Sequence, residues 1–149
     1  MTKEKAQELI NVMKELLKTG IYTLPAIGTT GKVELKSTSS PRDRFDVIIN
    51  RRARIVTGKY TLLLKYPEEN LLRIDVNGPN HTNPDGTIVP CPHIHMRVKD
   101  EGRWDAYAYD IPAIFGNSED CATTLRDFLQ YCNTKNVSEL IVLDQKEME

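Results

Sequence analysis

The chain has 149 residues, 40% hydrophobic and 28% charged, with a formal net charge of −1. That is enough chain for one core, a composition outside the disordered and collagen-like classes, and a charge too small to pull the whole molecule toward nucleic acid or membrane. No apolar run reaches bilayer length, no apolar core follows the lysines of "MTKEKAQELI", and Cys91, Cys121 and Cys132 are odd in number and widely spaced. The expectation is a cytoplasmic chain without an export signal or a disulfide framework.

Ala6, Leu9, Ile10, Met13, Leu16 and Leu17 recur at helical spacing, which predicts a helix over residues 3–18, capped by Thr2 and closed by Gly20. The period then changes. "KVELK" alternates, "STSSPRD" is turn-rich, and "RFDVIIN" is a short β-branched run. "KYTLLLKY" and "LLRIDVNG", separated by "PEEN", predict a hairpin. A long loop from Asn77 to Pro92 leads into "HIHMRV", and a turn at "KDEG" leads to "RWDAYAYDI", a second hairpin. Helical spacing returns after Ser118 with Ala122, Leu125, Phe128, Leu129 and Cys132 on one face, while "SELIVLD" fits either a strand or a short helix. The whole reads as one α+β domain over residues 1–149, with an N-terminal helix in 1–20, a curved antiparallel sheet in 31–111 and a C-terminal helix in 118–134. Five to seven strands are expected, with closure toward a barrel as the tighter alternative.

All three histidines fall in residues 80–98, "NHTNPDGTIVPCPHIHMRV". Alternation along a strand puts His93, His95, Arg97 and Lys99 on one face, and likewise Arg73, Asp75 and Asn77 in "LLRIDVN". If the two strands share a sheet with their apolar sides aligned, one wet surface carries these groups, and the loop adds His81 and Cys91. Imidazoles at neutral pH serve as base and acid, arginines grip a phosphate or phosphorane, and an aspartate orients an imidazole. Those are the parts for metal-independent RNA cleavage. Solvated surface histidines are the plain alternative.

H-x-H on a strand also directs two imidazoles to one side, so a divalent metal at His93/His95 is an alternative to a cofactor-free site, with Asp75, His81 or Cys91 as third ligand. Gly86, His93, His95 and Glu101 resemble the first metal motif of cupins, with spacings one residue longer on each side. The concentrated positive charge lies in "PRDRFDVIINRRARIVTGKY", where Arg42, Arg44, Arg51, Arg52, Arg54 and Lys59 are candidate RNA-backbone contacts, or simply a charged strand edge. Nucleotide-loop, dinucleotide, zincin and nucleophile-elbow motifs do not occur.

The order "YTLLLKYPEENLLRIDVNGPNH", "PDG", "PHIHM" resembles the TumE-type toxins of bacterial toxin–antitoxin modules, at Arg73, Asp75, His81, His93 and His95. A further group of small bacterial and phage-borne proteins is similar in "NPDGTIVPCPHIHM", in a tryptophan such as Trp104, and in "FLQYCN". The toxin resemblance implies a growth-inhibiting ribonuclease held by an antitoxin. In that reading His93 and His95 are acid and base, Arg73 and Arg97 bind phosphate, Asp75 orients a histidine, His81 joins the site, and the arginine segment tracks RNA. A protein that grips a host protein or nucleic acid without turnover is the reading from another class.

Overall fold

The computed structural model describes residues 1–52 and 58–144. Thr2 accepts a hydrogen bond from the Lys5 amide and opens helix α1, which spans only Lys3–Asn11. The sequence pattern extends this helix to residue 18; the structure ends it seven residues earlier, because residues 14–16 are claimed by a strand. Lys14 is the decisive residue. It is 0% exposed, and its ammonium donates to the carbonyls of Ile10 (2.7 Å), Val12 (2.9 Å) and Cys132 (2.8 Å). The last carbonyls of a helix need donors, and here a buried cation supplies them in place of another turn.

Ten strands follow before the second helix: β1 (Lys14–Leu16), β2 (Gly20–Thr23), β3 (Thr30–Ser37), β4 (Arg44–Asn50), β5 (Tyr60–Tyr66), β6 (Glu69–Val76), β7 (His81–Thr82), β8 (Ile88–Val89), β9 (His93–Met96) and β10 (Ala108–Asp110). Helix α2 (Cys121–Tyr131), β11 (Thr134–Lys135), a 3-10 turn (Val137–Glu139) and β12 (Leu140–Leu143) complete the described chain. The ambiguous "SELIVLD" is thus both a short helical turn and a strand. Asp120, rather than Ser118, takes the N-cap position of α2.

The main sheet has eight strands in the order β10-β9-β6-β5-β4-β3-β1-β11, antiparallel throughout except for β1 beside β11. It has one strand more than the expected five to seven because β1 and β11 join it from outside residues 31–111, and it does not close into a barrel. β12 and β2 form a separate parallel pair, and β7 with β8 a small ribbon inside the 77–92 loop. Alternation sorts most of the main sheet, with a register shift at Leu64/Lys65 that buries both Leu71 and Leu72. Phe45, Val47, Ile49, Leu62, Leu64, Leu72, Ile74 and Ile94 join Leu9 and Ile10 of α1 and Leu125, Phe128 and Leu129 of α2 in one core. Each such side chain contributes roughly 1.5–3 kcal/mol by leaving water. The opposite face of β4, β5, β6 and β9 carries the polar residues.

Burial lowers the Lys14 pKa from 10.5 to about 8, and three carbonyl acceptors keep its proton on at neutral pH. Between pH 8 and 10.5 the unfolded chain holds more protons at this residue than the native one, so its contribution to stability rises with pH. Cys132 works in the other direction: burial pushes its thiol from 9.0 up to about 12, and the stability it lends is lost as pH climbs through that window. Lys14→Met is expected to cost about 2–3 kcal/mol at pH 7, since it leaves three carbonyls short of a donor. The gap in melting temperature between wild type and this variant should widen from pH 8 to pH 10. Thermal melts across that range check it.

Candidate functional site

β6 and β9 are hydrogen-bonded neighbours with Arg73 opposite His95 and Asp75 opposite His93. Register alone therefore puts these four side chains on one face, as the alternation predicts. The face is not wet in the way a solvated strand would be: His93 is 2% and His95 1% exposed. Segment 97–107 and the 77–92 loop fold over the imidazoles. Asn83 pins the loop to β10 by donating to the Ala108 carbonyl (3.1 Å) and accepting from its amide (2.8 Å). The ribbon of β7 and β8 brings His81 over the sheet, its ring 4.7 Å from that of His95 and 6.1 Å from that of His93.

Backbone carbonyls set the ring tautomers. His95 Nδ1 lies 3.0 Å from Asp105 O and 3.1 Å from Tyr107 O, and His93 Nδ1 lies 3.2 Å from Val89 O. A carbonyl only accepts, so both Nδ1 atoms carry the hydrogen and both Nε2 atoms hold the lone pair in the neutral ring. Both Nε2 atoms converge on Asp75 Oδ2, at 3.1 Å from His93 and 3.2 Å from His95. Arg73 holds the same carboxylate, Nε to Oδ1 at 2.7 Å and Nη2 to Oδ2 at 3.2 Å, and reaches Asp105 at 3.3 Å. Burial pushes the Asp75 carboxyl up, but the Arg73 guanidinium, together with His93 and His95 whenever a proton sits on their Nε2 atoms, outweighs it and holds it well below the usual carboxylate range. Cys91 lies 3.7 Å from His93 Nδ1, but burial pushes its thiol up, so it stays protonated at neutral pH.

These groups line a cleft of about 520 Å³, together with Lys59, Asn50 and Thr61. His81 donates from Nε2 to Ala106 O at 2.7 Å, and its Nδ1 has no hydrogen-bond partner among the described residues. The sequence reading did not include Asp105 in the site. It bonds His95 through its backbone and Arg73 through its side chain. Trp104 beside it stacks over the Arg73 guanidinium at 5.4 Å. The "WD" pair in a turn next to a histidine strand was the available signal.

Other candidates lie elsewhere. Arg97 follows the end of β9, and its guanidinium donates to the carbonyls of Lys99, Asp100 and Gly102, so it staples a turn and does not line the cleft. Arg51 is buried in a bidentate pair with Asp144 (3.1 and 3.3 Å), which removes it from any RNA track. Arg42 and Arg44 are exposed at one end of β4 and Arg52 is exposed beyond the other, with a strand about 23 Å long at 3.3 Å per residue setting them apart. Arg54 lies outside the described residues. Of the described arginines and lysine of this segment, only Lys59 lines the cleft.

The chain matches a family of unknown function, DUF6978, over residues 1–134. It belongs to that family. The DUF6978 match takes in every residue of the cleft and stops before β12. No curated protein and no solved structure matches the chain. No helix among the described residues is long and apolar enough to cross a membrane.

Proposed function

We propose that the cleft is the active site of a ribonuclease, with His81 as the proton carrier that meets the substrate. One observation carries the reading: three imidazoles, a carboxylate, a guanidinium and an ammonium converge in one open cleft. The roles differ from those read in the sequence. His93 and His95 commit Nδ1 to backbone carbonyls and Nε2 to Asp75, so neither ring has a nitrogen free to shuttle protons. His81 has one. Its Nε2–H is fixed on Ala106 O, which leaves the Nδ1 lone pair to act as a base. Lys59 supplies positive charge toward a developing phosphorane, whereas the Arg73 guanidinium is committed to Asp75 and Asp105 and holds the carboxylate in place. The motif order shared with TumE-type toxins supports RNA as substrate, growth arrest as the outcome and an antitoxin as partner.

Induction of the wild-type chain in a bacterial host tests this, with growth and total RNA integrity followed over time. Wild type should arrest growth and fragment RNA. His81→Ala, which removes a half-buried ring and leaves the β7–β8 backbone pairing in place, should slow fragmentation by about 100-fold or more. Normal growth and intact RNA with the wild-type chain would overturn the proposal. A tight complex with a host protein and no turnover would assign binding instead.

A further inference from the structure

The two buried imidazoles and Asp75 pose a problem that acid–base chemistry does not solve. Oδ2 of Asp75 and Nε2 of His93 and of His95 are three electron-pair donors, with contacts of 3.1 and 3.2 Å. A proton on one ring satisfies one contact and leaves the other. Protonating both puts two cations in rings whose centroids are 4.9 Å apart. A single divalent ion satisfies all three donors together.

We propose that Asp75, His93 and His95 bind one divalent transition-metal ion, with zinc the best match to two imidazoles and a carboxylate. The contacts are close to the edges of about 3.3–3.4 Å that a tetrahedron gives at zinc–ligand lengths of about 2.0–2.1 Å. Candidate ligand atoms of these three residues all lie within 4.8 Å of one another. The outer contacts are those metal-bound histidines usually make: each Nδ1–H is fixed on a backbone carbonyl, at Val89 for His93 and at Asp105 and Tyr107 for His95. Arg73 fixes the carboxylate and is itself offset by Asp105, so its charge does not leave the centre positive. All three donors stand on adjacent strands in fixed register, which defines the geometry before any ion arrives. Three protein ligands leave a position facing the cleft, where a water or a phosphate oxygen becomes the fourth ligand. A water held there would lie in the cleft that His81 also lines. The inference rests on reading the cleft as a reacting centre, not on RNA as its substrate.

The test uses untagged full-length protein, stripped with chelator, dialysed and titrated with Co²⁺ and then Zn²⁺. One equivalent of Co²⁺ should give visible d–d absorption that one equivalent of Zn²⁺ abolishes, and Zn²⁺ should raise the melting temperature. His93→Gln and Asp75→Ala, each shown folded by circular dichroism, should weaken Zn²⁺ binding by at least about 100-fold, and Arg73→Gln by about 10–100-fold. Folded wild type that takes up neither ion overturns the site, as does RNA cleavage that persists undiminished in chelator. Stoichiometric metal without any RNA cleavage keeps the site and removes the ribonuclease reading.

Discussion

Asp75→Ala is expected to abolish turnover and to cost the fold about 2 kcal/mol at pH 7. The carboxylate accepts from Arg73 and is the point on which His93 and His95 converge, and removing it leaves the Arg73 guanidinium with Asp105 alone. Breaking a fully buried ion pair costs about 3–5 kcal/mol; the smaller figure follows because the Asp75 side chain keeps 17% of its exposure and Arg73 retains Asp105. Asp75→Asn keeps the shape and restores one hydrogen bond, so it should recover much of the stability and none of the activity. That split separates the charge from the scaffold. The pH dependence has a definite sign. The Asp75 pKa is depressed in the native state, so its stabilisation is whole above the unfolded value of 3.8 and lost as pH falls through the native one. The difference in melting temperature between wild type and Asp75→Ala should therefore shrink below about pH 4.

Asp144→Ala should cost about 3–5 kcal/mol of stability by stranding a buried guanidinium. Arg51 and Asp144 have side chains only 10% and 4% exposed, and Arg51 also donates to the Pro25 carbonyl at 3.1 Å. This pair ties the end of β4 to the chain after β12. At about 2–4 °C per kcal/mol for a domain of this size, the melting temperature should fall by roughly 6 °C or more. Arg51→Met with Asp144→Leu, which removes both charges, should recover most of the loss. A single variant that melts within a degree or two of wild type would show that the pair is not buried in solution.

The polar face of the site was legible because strand alternation is a two-residue rule, and "LLRIDVN" and "HIHM" obey it. Their pairing followed from matching apolar sides, Ile74 against Ile94. The burial of His93 and His95 was not legible: the covering residues come from irregular segments, where no period announces that Asp105 and Val89 will offer carbonyls. Helix α1 was overextended because Leu16 fits a helical stripe as well as it fits a strand facing the core. What ended the helix was Lys14, and a lysine in sequence reads as surface. The arginine-rich run was misleading for a similar reason. Composition counts Arg51 as free charge, but its partner is 93 residues away. Arg97 fell short because β9 stops at Met96, one residue before it.

The most direct measurement is cleavage of a fluorophore-labelled single-stranded RNA by purified wild type, Asp75→Asn and His81→Ala at pH 7, each confirmed folded. Wild type should turn over the RNA, and turnover should drop at least about 100-fold in both variants. No turnover by folded wild type, or equal turnover by all three proteins, would contradict the proposed function.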